Sequence, residues 1–355
     1  MRLVVIFSFS FLIAYLSTPL FRKLALKFKI LDKPGRRKIH KKSIPLLGGL
    51  AVYLSMILGF ALNFTNLRSL LGILIGATLI LIMGVIDDIR GLSAQFRLVG
   101  QVIAALIIIS FGIRLSFLPD NLWGNAGEIL LTLIWIVGIT NAFNCLDGID
   151  GLASGTAAVS ALFFSIISYQ THQPLVGLTA LILMAGCLGF LPHNLKKEKI
   201  FLGDGGSTFI GFILAGIAIL GNWAEDNVVK LIIPVLILGV PIFDMTFTTI
   251  MRIRKEKISS IVEWLKYAGK DHFHHYLIDL GLYQEGAMLF ICFISVSFGI
   301  SAIMVSNENA VVGFFSILQA FIIFAGIAIL MIVGKRRRGR RHIHNKNQET
   351  LDSPK

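Results

Sequence analysis

The sequence predicts an all-α, polytopic helical membrane protein of about eleven transmembrane helices. Hydrophobic residues make up 55% of the 355-residue chain and charged residues only 15%, where soluble domains are about a quarter charged. Mean hydropathy is +0.79. The apolar residues fall in unbroken runs close to the roughly 20 residues that a helix needs to cross a bilayer core of about 30 Å. A β-barrel is excluded, because the runs are continuous and not alternating.

In chain order the predicted segments are 3–20, 47–65, 69–86, 98–115, 128–143, 152–169, 174–191, 207–222, 229–250, 285–305 and 310–333. The first follows Arg2 and lacks a small-residue cleavage site, so it reads as a retained span and not a signal peptide. The second opens on "PLLGG". The third runs into the paired acids Asp87 and Asp88, and the fourth follows "DDIRGLSAQFRLVGQ". The fifth and sixth are divided by "NAFNCLDGIDGLASG", whose Asp-Gly steps signal a turn. The seventh ends before Pro192, and the eighth opens on "GDGGS". The ninth contains Asp244, which is costly in lipid and so belongs inside the protein near one membrane edge, in reach of a role supporting a site. The last two follow "HFHH" at 272–275. Residues 1–334 thus form one transmembrane domain, and 335–355, with "KRRRGRR", a basic disordered tail.

Charge orients these segments. Of the 33 Lys and Arg residues, 29 lie in the loops after odd-numbered segments or in the tail. The positive-inside rule then places those loops and the C-terminus in the cytoplasm and the N-terminus outside. The net charge of +13 fixes topology and attracts anionic membrane lipid. No nucleic-acid partner is expected, since the basic residues flank spans and form no recognition module. Cys145, Cys187 and Cys292 make no CxxC pattern and read as buried thiols.

Four polar motifs fall in predicted cytoplasmic loops: Asp87 and Asp88; Asp147 and Asp150; Phe201 and Asp204 in "FLGDGGS"; and His272, His274 and His275. Each has a plain reading. Asp87 and Asp88 with Arg90 make a solvated turn, Asp147 and Asp150 are turn formers, Asp204 caps a helix, and the histidines form an interfacial run. Together they point to chemistry. Clustered carboxylates repel unless a counter-charge joins them, and for hard oxygen ligands that counter-charge is Mg²⁺, with Mn²⁺ as a substitute. Glycines let backbone approach a ligand, and the N–H groups opening the "GDGGS" helix offer themselves to a phosphate. Lys38, His40, Lys41 and Lys42 can neutralise phosphate, although Lys42 serves equally as a topology charge. The set reads as a metal-assisted phosphate site at the membrane surface, where a soluble phosphate compound meets a lipid phosphate.

The stretch from "LDKPGRRKIHKKSIPLLGGLAVY" to "HFHH" resembles the polyprenyl-phosphate N-acetylhexosamine-1-phosphate transferase family, which includes phospho-MurNAc-pentapeptide transferases and the GlcNAc-1-phosphate transferases of wall teichoic acid and lipopolysaccharide O-antigen synthesis. The resemblance implies a Mg²⁺-dependent enzyme in the bacterial inner (plasma) membrane, with its active site cytoplasmic. Undecaprenyl phosphate would attack a UDP-N-acetylhexosamine, giving lipid-linked sugar diphosphate and UMP. It further implies that one of Asp87 and Asp88, Asp87 foremost, orients or deprotonates the lipid phosphate, and that Asp204 binds Mg²⁺. Phe201 would stack on uracil. Asn144, Asp147, Asp150 and Asn194 would line the nucleotide and sugar pocket, Lys42 would hold phosphate, and His272, His274 and His275 would lie near the diphosphate. A homodimer is suggested. The chain departs from the family where Tyr276 replaces an Arg that often follows the histidines, and in "KISSIVEWLKYAGKDHFHH", a loop tied to sugar choice. The interrupted histidine run favours the GlcNAc branch over the phospho-MurNAc-pentapeptide branch. A transporter or flippase is the rival of another class, but no inverted repeat is evident.

Overall fold

The computed structural model describes residues 1–34, 42–62, 70–196, 199–258 and 271–351, with Ser260, Glu263, Tyr267 and Gly269 between the last two, and side chains as far as residue 333. Lys38, His40, Lys41 and most of the 257–270 loop lie outside the described residues. The helices are α1 (Arg2–Lys27), α2 (Gly48–Ala61), α3 (Leu71–Arg90), α4 (Ala94–Ser110), α5 (Leu122–Leu146), α6 (Leu152–Gln170), α7 (Pro174–Leu195), α8 (Gly203–Leu220), α9 (Asn227–Ile237), α10 (Gly239–Arg254), α11 (Phe273–Asp279), α12 (Gln284–Val305) and α13 (Ala310–Leu351). Two short strands, β1 (Leu31–Asp32) and β2 (Ile44–Pro45), pair antiparallel between α1 and α2.

The chain is a polytopic helical membrane protein. Among the described residues eight helices are long and apolar enough to cross a membrane, or nine if the bent pair α9–α10 is one span. Each of the eleven predicted segments overlaps a helix among the described residues, but 98–115 runs five residues past the end of α4 at Ser110, and α2 has 14 residues and α4 has 17. At 1.5 Å per residue these reach only about 21 and 26 Å. The backbone of 335–351 continues α13 where a disordered tail is expected, its Lys- and Arg-rich run containing good helix formers and no Pro.

The predicted segment 229–250 is not one straight helix. It bends by 76° between α9 and α10. Pro241 has no N–H to return to the Ile237 carbonyl, and that carbonyl is satisfied instead by the Ser160 hydroxyl at 3.2 Å. The bend carries Asp244 into the protein, where it is 1% exposed.

Helix α8 is the axis of the bundle. Its residues from Gly205 to Ala218 are all buried, as befits a helix apolar on every side, and α3 and α5 pack against it. The crossings are set by glycine. A Cβ on Gly84 would fall inside the Gly205 backbone, and one on Gly49 inside Gly206. At the same end Gly48 and Gly49 of α2 donate to the carbonyls of Phe201 and Leu202 at 2.9 and 3.0 Å, and Phe201 donates to Pro45 at 2.9 Å. The first N–H groups of α2 are thereby satisfied by the strand-like lead into α8.

Gly84→Ala is expected to lower the melting temperature in detergent, with a destabilisation of about 1–3 kcal/mol from overpacking. Gly138→Ala, on the side of α5 where an added Cβ meets nothing within 4 Å, should be neutral or raise stability by up to about 1 kcal/mol. Equal melting points for the two variants would remove the close crossing as a constraint.

Candidate active site

Loops from four helix junctions meet at one end of the bundle around a cavity of about 730 Å³, whose wall includes Asp88, Asp147, Asp150, Phe201, Asp204 and His275. Asp88 closes the α3 side. Its Oδ1 accepts the Asp204 N–H at 2.9 Å and its Oδ2 the Gly205 N–H at 3.3 Å. These first-turn N–H groups, expected to await a phosphate, are therefore occupied by a carboxylate from another helix. The cause is the same attraction of a helix N-terminus for an anion, with Asp88 delivered by the Gly84–Gly205 crossing. Gly203 holds φ at +76°, and a Cβ on it would strike the Asp88 carboxylate.

Asp87 faces elsewhere. It is 8% exposed, bonded by the Leu92 N–H and by Arg97 Nη1 at 3.1 Å. The same Arg97 nitrogen lies 3.8 Å from Asp204 Oδ2, and Asn144 Nδ2 donates to Asp204 Oδ1 at 2.8 Å and to Ser207 Oγ at 3.0 Å. Asp87, Arg97, Asn144 and Asp204 line a narrow cleft with Gln101 and Asn141. That cleft shares Arg97, Gln101, Asn141 and Asn144 with a second cavity of about 260 Å³, which also reaches Arg252 and His272. Asp204 thus stands between two spaces, one rich in acids and one holding two arginines.

Asp147 follows α5 directly. Burial, and then the carboxylates of Asp204, Asp88, Asp150 and Asp32, push its carboxyl well above the ordinary carboxylate range. Asp150 is instead neutralised by Lys199, whose ammonium also lies 5.4 Å from the centre of the Phe201 ring. Asn194, expected to contact substrate, is 3% exposed and uses both ends of its amide on the protein. Its Oδ1 accepts the Gly151 N–H and its Nδ2 donates to the Ile200 carbonyl at 2.8 Å. It ties the "DGIDG" turn to the segment before Phe201. Lys42 is exposed and is not in the cavity wall: Ile44 and Pro45 turn inward to pair with β1, leaving the residue ahead of them in solvent.

The three histidines have three different surroundings. His275 lines the large cavity. His274 is 1% exposed, lies against Gly148 so closely that no Cβ would fit, and neither ring nitrogen has a partner among the described residues. Burial, with His275 beside it, lowers it to about 3, so it is neutral near pH 7. His272 opens α11. Its Nδ1 is 2.9 Å from Asp244 Oδ2, while Asp244 Oδ1 accepts the Phe273 N–H at 2.6 Å. Burial pulls the His272 ring down, but Asp244 raises it to about 10. Against this, Arg252 Nη2, which can only donate, lies 3.2 Å from His272 Nε2. The donor geometry decides for a neutral ring protonated on Nδ1, since an imidazolium would turn an N–H onto the guanidinium. Arg252 is itself fixed by Asp271 at 2.8 and 3.0 Å.

The structure adds residues that the sequence reading leaves out. Asp32, Lys199 and Glu285 line the large cavity, and Arg252 and Asp271 brace His272. Lys199 stands two residues before Phe201 and Asp32 within "LDKP", so both were within reach of the motifs. Glu285, at the start of α12, had no signal. Among the described residues no group of three His, Cys, Asp or Glu side chains is placed to hold a metal by itself. An ion held by one or two of the acids, with the rest of its shell from water and substrate oxygens, is compatible with that.

Residues 70–222 match the model of glycosyl transferase family 4. The chain is 35% identical over 342 residues, covering 94% of it and 92% of the relative, to a Bacillus subtilis protein named as a probable undecaprenyl-phosphate N-acetylglucosaminyl 1-phosphate transferase. It is 31% identical over 315 residues, 79% of this chain and 76% of the other, to the decaprenyl-phosphate N-acetylglucosaminephosphotransferase of Mycolicibacterium smegmatis. It is 28% identical over 302 residues, 82% and 80% of the two chains, to the undecaprenyl-phosphate alpha-N-acetylglucosaminyl 1-phosphate transferase of Yersinia pestis.

Removing the Asp244 carboxylate as Asp244→Ala strands the Phe273 N–H and unties His272, and should cost about 3 kcal/mol in denaturant or thermal unfolding. Asp244→Asn, which keeps an acceptor, should lose less. His274 gives a pH dependence of stated sign. Below about 6.5 the unfolded chain binds a proton that the folded chain refuses until about pH 3, so stability falls on acidification by up to about 1.4 kcal/mol per pH unit in that window. Between pH 7 and pH 5 the melting point of His274→Gln should therefore fall less than that of the wild type. Parallel falls would show that His274 is not held neutral.

Proposed function

Because this chain belongs to glycosyl transferase family 4, in its undecaprenyl-phosphate GlcNAc-1-phosphate transferase branch, we propose that it transfers GlcNAc-1-phosphate from UDP-GlcNAc to undecaprenyl phosphate. The observation that carries this reading is the 35% identity to the Bacillus subtilis relative over 94% of the chain. The geometry supports it, because one acid-lined cavity and one arginine-bearing cavity adjoin at Asp204 and Asn144. The relatives named for GlcNAc transfer and the "HFHH" interruption both favour GlcNAc over MurNAc-pentapeptide.

In this reading the nucleotide sugar occupies the large cavity, with uracil at Phe201 and the diphosphate toward Asp204 and His275. The lipid phosphate enters through the second cavity, where Arg97 and Arg252 offset its charge. A phosphate oxygen of the lipid attacks the β-phosphorus of UDP-GlcNAc. The bond from that phosphorus to the bridging oxygen breaks, and UMP leaves carrying the bridging oxygen. The step exchanges one phosphoanhydride for another, so the protein's work is positioning and charge neutralisation. Asp87, clamped by Arg97 beside Asp204, is placed to receive or orient the lipid phosphate. Asp88 and Asn194 act by holding the loops, and Lys199 meets the nucleotide side of the cavity.

The acids fit a divalent cation. The Asp147 carboxyl, raised first by burial, also stands among the carboxylates of Asp204, Asp88, Asp150 and Asp32, and Asp204 presents a carboxylate whose side chain is 42% exposed. Asp204 and Asp147 would hold Mg²⁺, or Mn²⁺, leaving coordination positions for water and phosphate oxygens. The metal, when bound, neutralises the charge of the reacting diphosphate. We place the site at the cytoplasmic face of a bacterial plasma membrane, since the basic loops gather at this end.

Detergent-purified protein given undecaprenyl phosphate, Mg²⁺ and UDP-GlcNAc should release UMP, and omitting any one of the three should stop it. Asp204→Asn should lower the rate at least a hundredfold. Lys199→Met should raise KM for the UDP-sugar about tenfold with a smaller change in kcat. Release with a different UDP-sugar alone would overturn the sugar assignment. No release with any UDP-sugar from folded protein would overturn the transferase.

A further inference from the structure

A third cavity, of about 260 Å³, lies at the other end of the bundle, where α8 finishes and α9 begins. The 18-residue helix α8 separates it from the acidic site by about 27 Å. Its walls are the α4–α5 connection, the first half of α5 and one face of α9. Leu131, Trp135, Trp223 and Pro234 make it largely apolar, and Arg114 and Lys230 both line it. No Asp or Glu is among its lining residues.

The two cations differ. Arg114 is oriented by Glu128, 3.5 Å from Nε, and by Asn125 Oδ1, 2.8 Å from Nη2, with its side chain 35% exposed. The Lys230 ammonium, on the second turn of α9, has no hydrogen-bond or ion-pair partner among the described residues. The Trp135 indole N–H is buried without an acceptor among the described residues. Trp123, at the head of α5, is 85% exposed, as expected of an aromatic residue at a membrane–water boundary.

We propose that this groove binds an anionic phospholipid, its acyl chain along Leu131, Trp135 and Pro234 and its phosphate between Arg114 and Lys230. An apolar slot in a membrane-embedded chain is solvated by acyl chains in any case. Arg114, its charge shared with Glu128, supplies guanidinium donors, and Lys230 supplies the charge that selects the headgroup, because a zwitterionic lipid would bring a second positive charge to the same place. The site lies apart from the residues assigned to sugar-phosphate transfer and goes beyond that function.

The test is native mass spectrometry of the full chain in detergent, offered equal amounts of dioleoyl phosphatidylglycerol and dioleoyl phosphatidylcholine. Wild type should retain phosphatidylglycerol at least fivefold over phosphatidylcholine. Lys230→Glu should abolish that preference while leaving UMP release unchanged. Leu231→Trp, which narrows the groove and keeps both cations, should lower retention of phosphatidylglycerol and decides the matter if Lys230→Glu does not fold. Equal retention of the two lipids by wild type, or an undiminished preference in the variants, would overturn the proposal. Displacement of phosphatidylglycerol one for one by undecaprenyl phosphate would do so as well, by giving the groove to the lipid substrate.

Discussion

The joint between the Asp88 carboxylate and the first turn of α8 is the constraint on which the site depends. A helix N-terminus carries unpaired N–H groups and a partial positive charge, and here a side chain from α3 satisfies both at 2.9 and 3.3 Å. The joint needs two backbones in contact, which Gly84 and Gly205 permit, and a left-handed residue at the helix start, which Gly203 supplies. Once α3 and α8 are locked, Asp87, Arg97 and Asp204 fall into one chain of contacts. Asn144 then joins α5 to it and Asn194 joins the turn before α6. Asp88 and Asn194, which line the large cavity, thus also fasten the loops that carry its other residues.

Charge divides the site into halves. The large cavity is walled by Asp32, Asp88, Asp147, Asp150, Asp204 and Glu285, with Lys199 and His275 as the basic residues. Among the described residues the second cavity carries Arg97 and Arg252 and no acid. Under the proposed function this asymmetry has a physical sense. A UDP-sugar brings its metal and meets carboxylates, whereas a lipid phosphate comes without one and meets guanidinium groups that match phosphate oxygens in pairs. The reacting groups would then meet at Asp204, where the fields of the two halves cross.

The bent pair α9–α10 supplies the remaining order. Beyond the break at Leu238, Asp244 is buried against the start of α11, where one carboxylate holds both the His272 ring and the Phe273 N–H. Arg252, just over two helical turns beyond Asp244 on α10, closes the other side of the ring with Asp271 behind it. The histidine motif is therefore not three equal catalytic groups. One ring is bonded on both nitrogens, one is sealed under Gly148, and His275 faces the large cavity.

Sequence by itself determined the polytopic helical membrane class and the loops whose polar motifs meet at the candidate site. Composition, run length and the spacing of acids and glycines are local properties, and they survive folding unchanged. Tertiary structure decided which partners each polar residue has. Whether Asp88 binds a ligand or caps α8, whether Asn194 meets substrate or the Gly151 N–H, and whether Lys42 reaches the cavity depend on partners 40 to 120 positions away in several cases, as with the 116-residue separation of Asp88 and Asp204. The bend in α9–α10 was foreshadowed by Pro241, but its angle and the inward turn of Asp244 were not. Glu285 carried no pattern of its own, because a single charge acquires meaning only from the wall it joins. Hydrophobicity acts through the solvent that each segment must meet, so the chain declares it residue by residue, whereas a hydrogen bond or an ion pair exists only once two distant segments are held within about 3 Å.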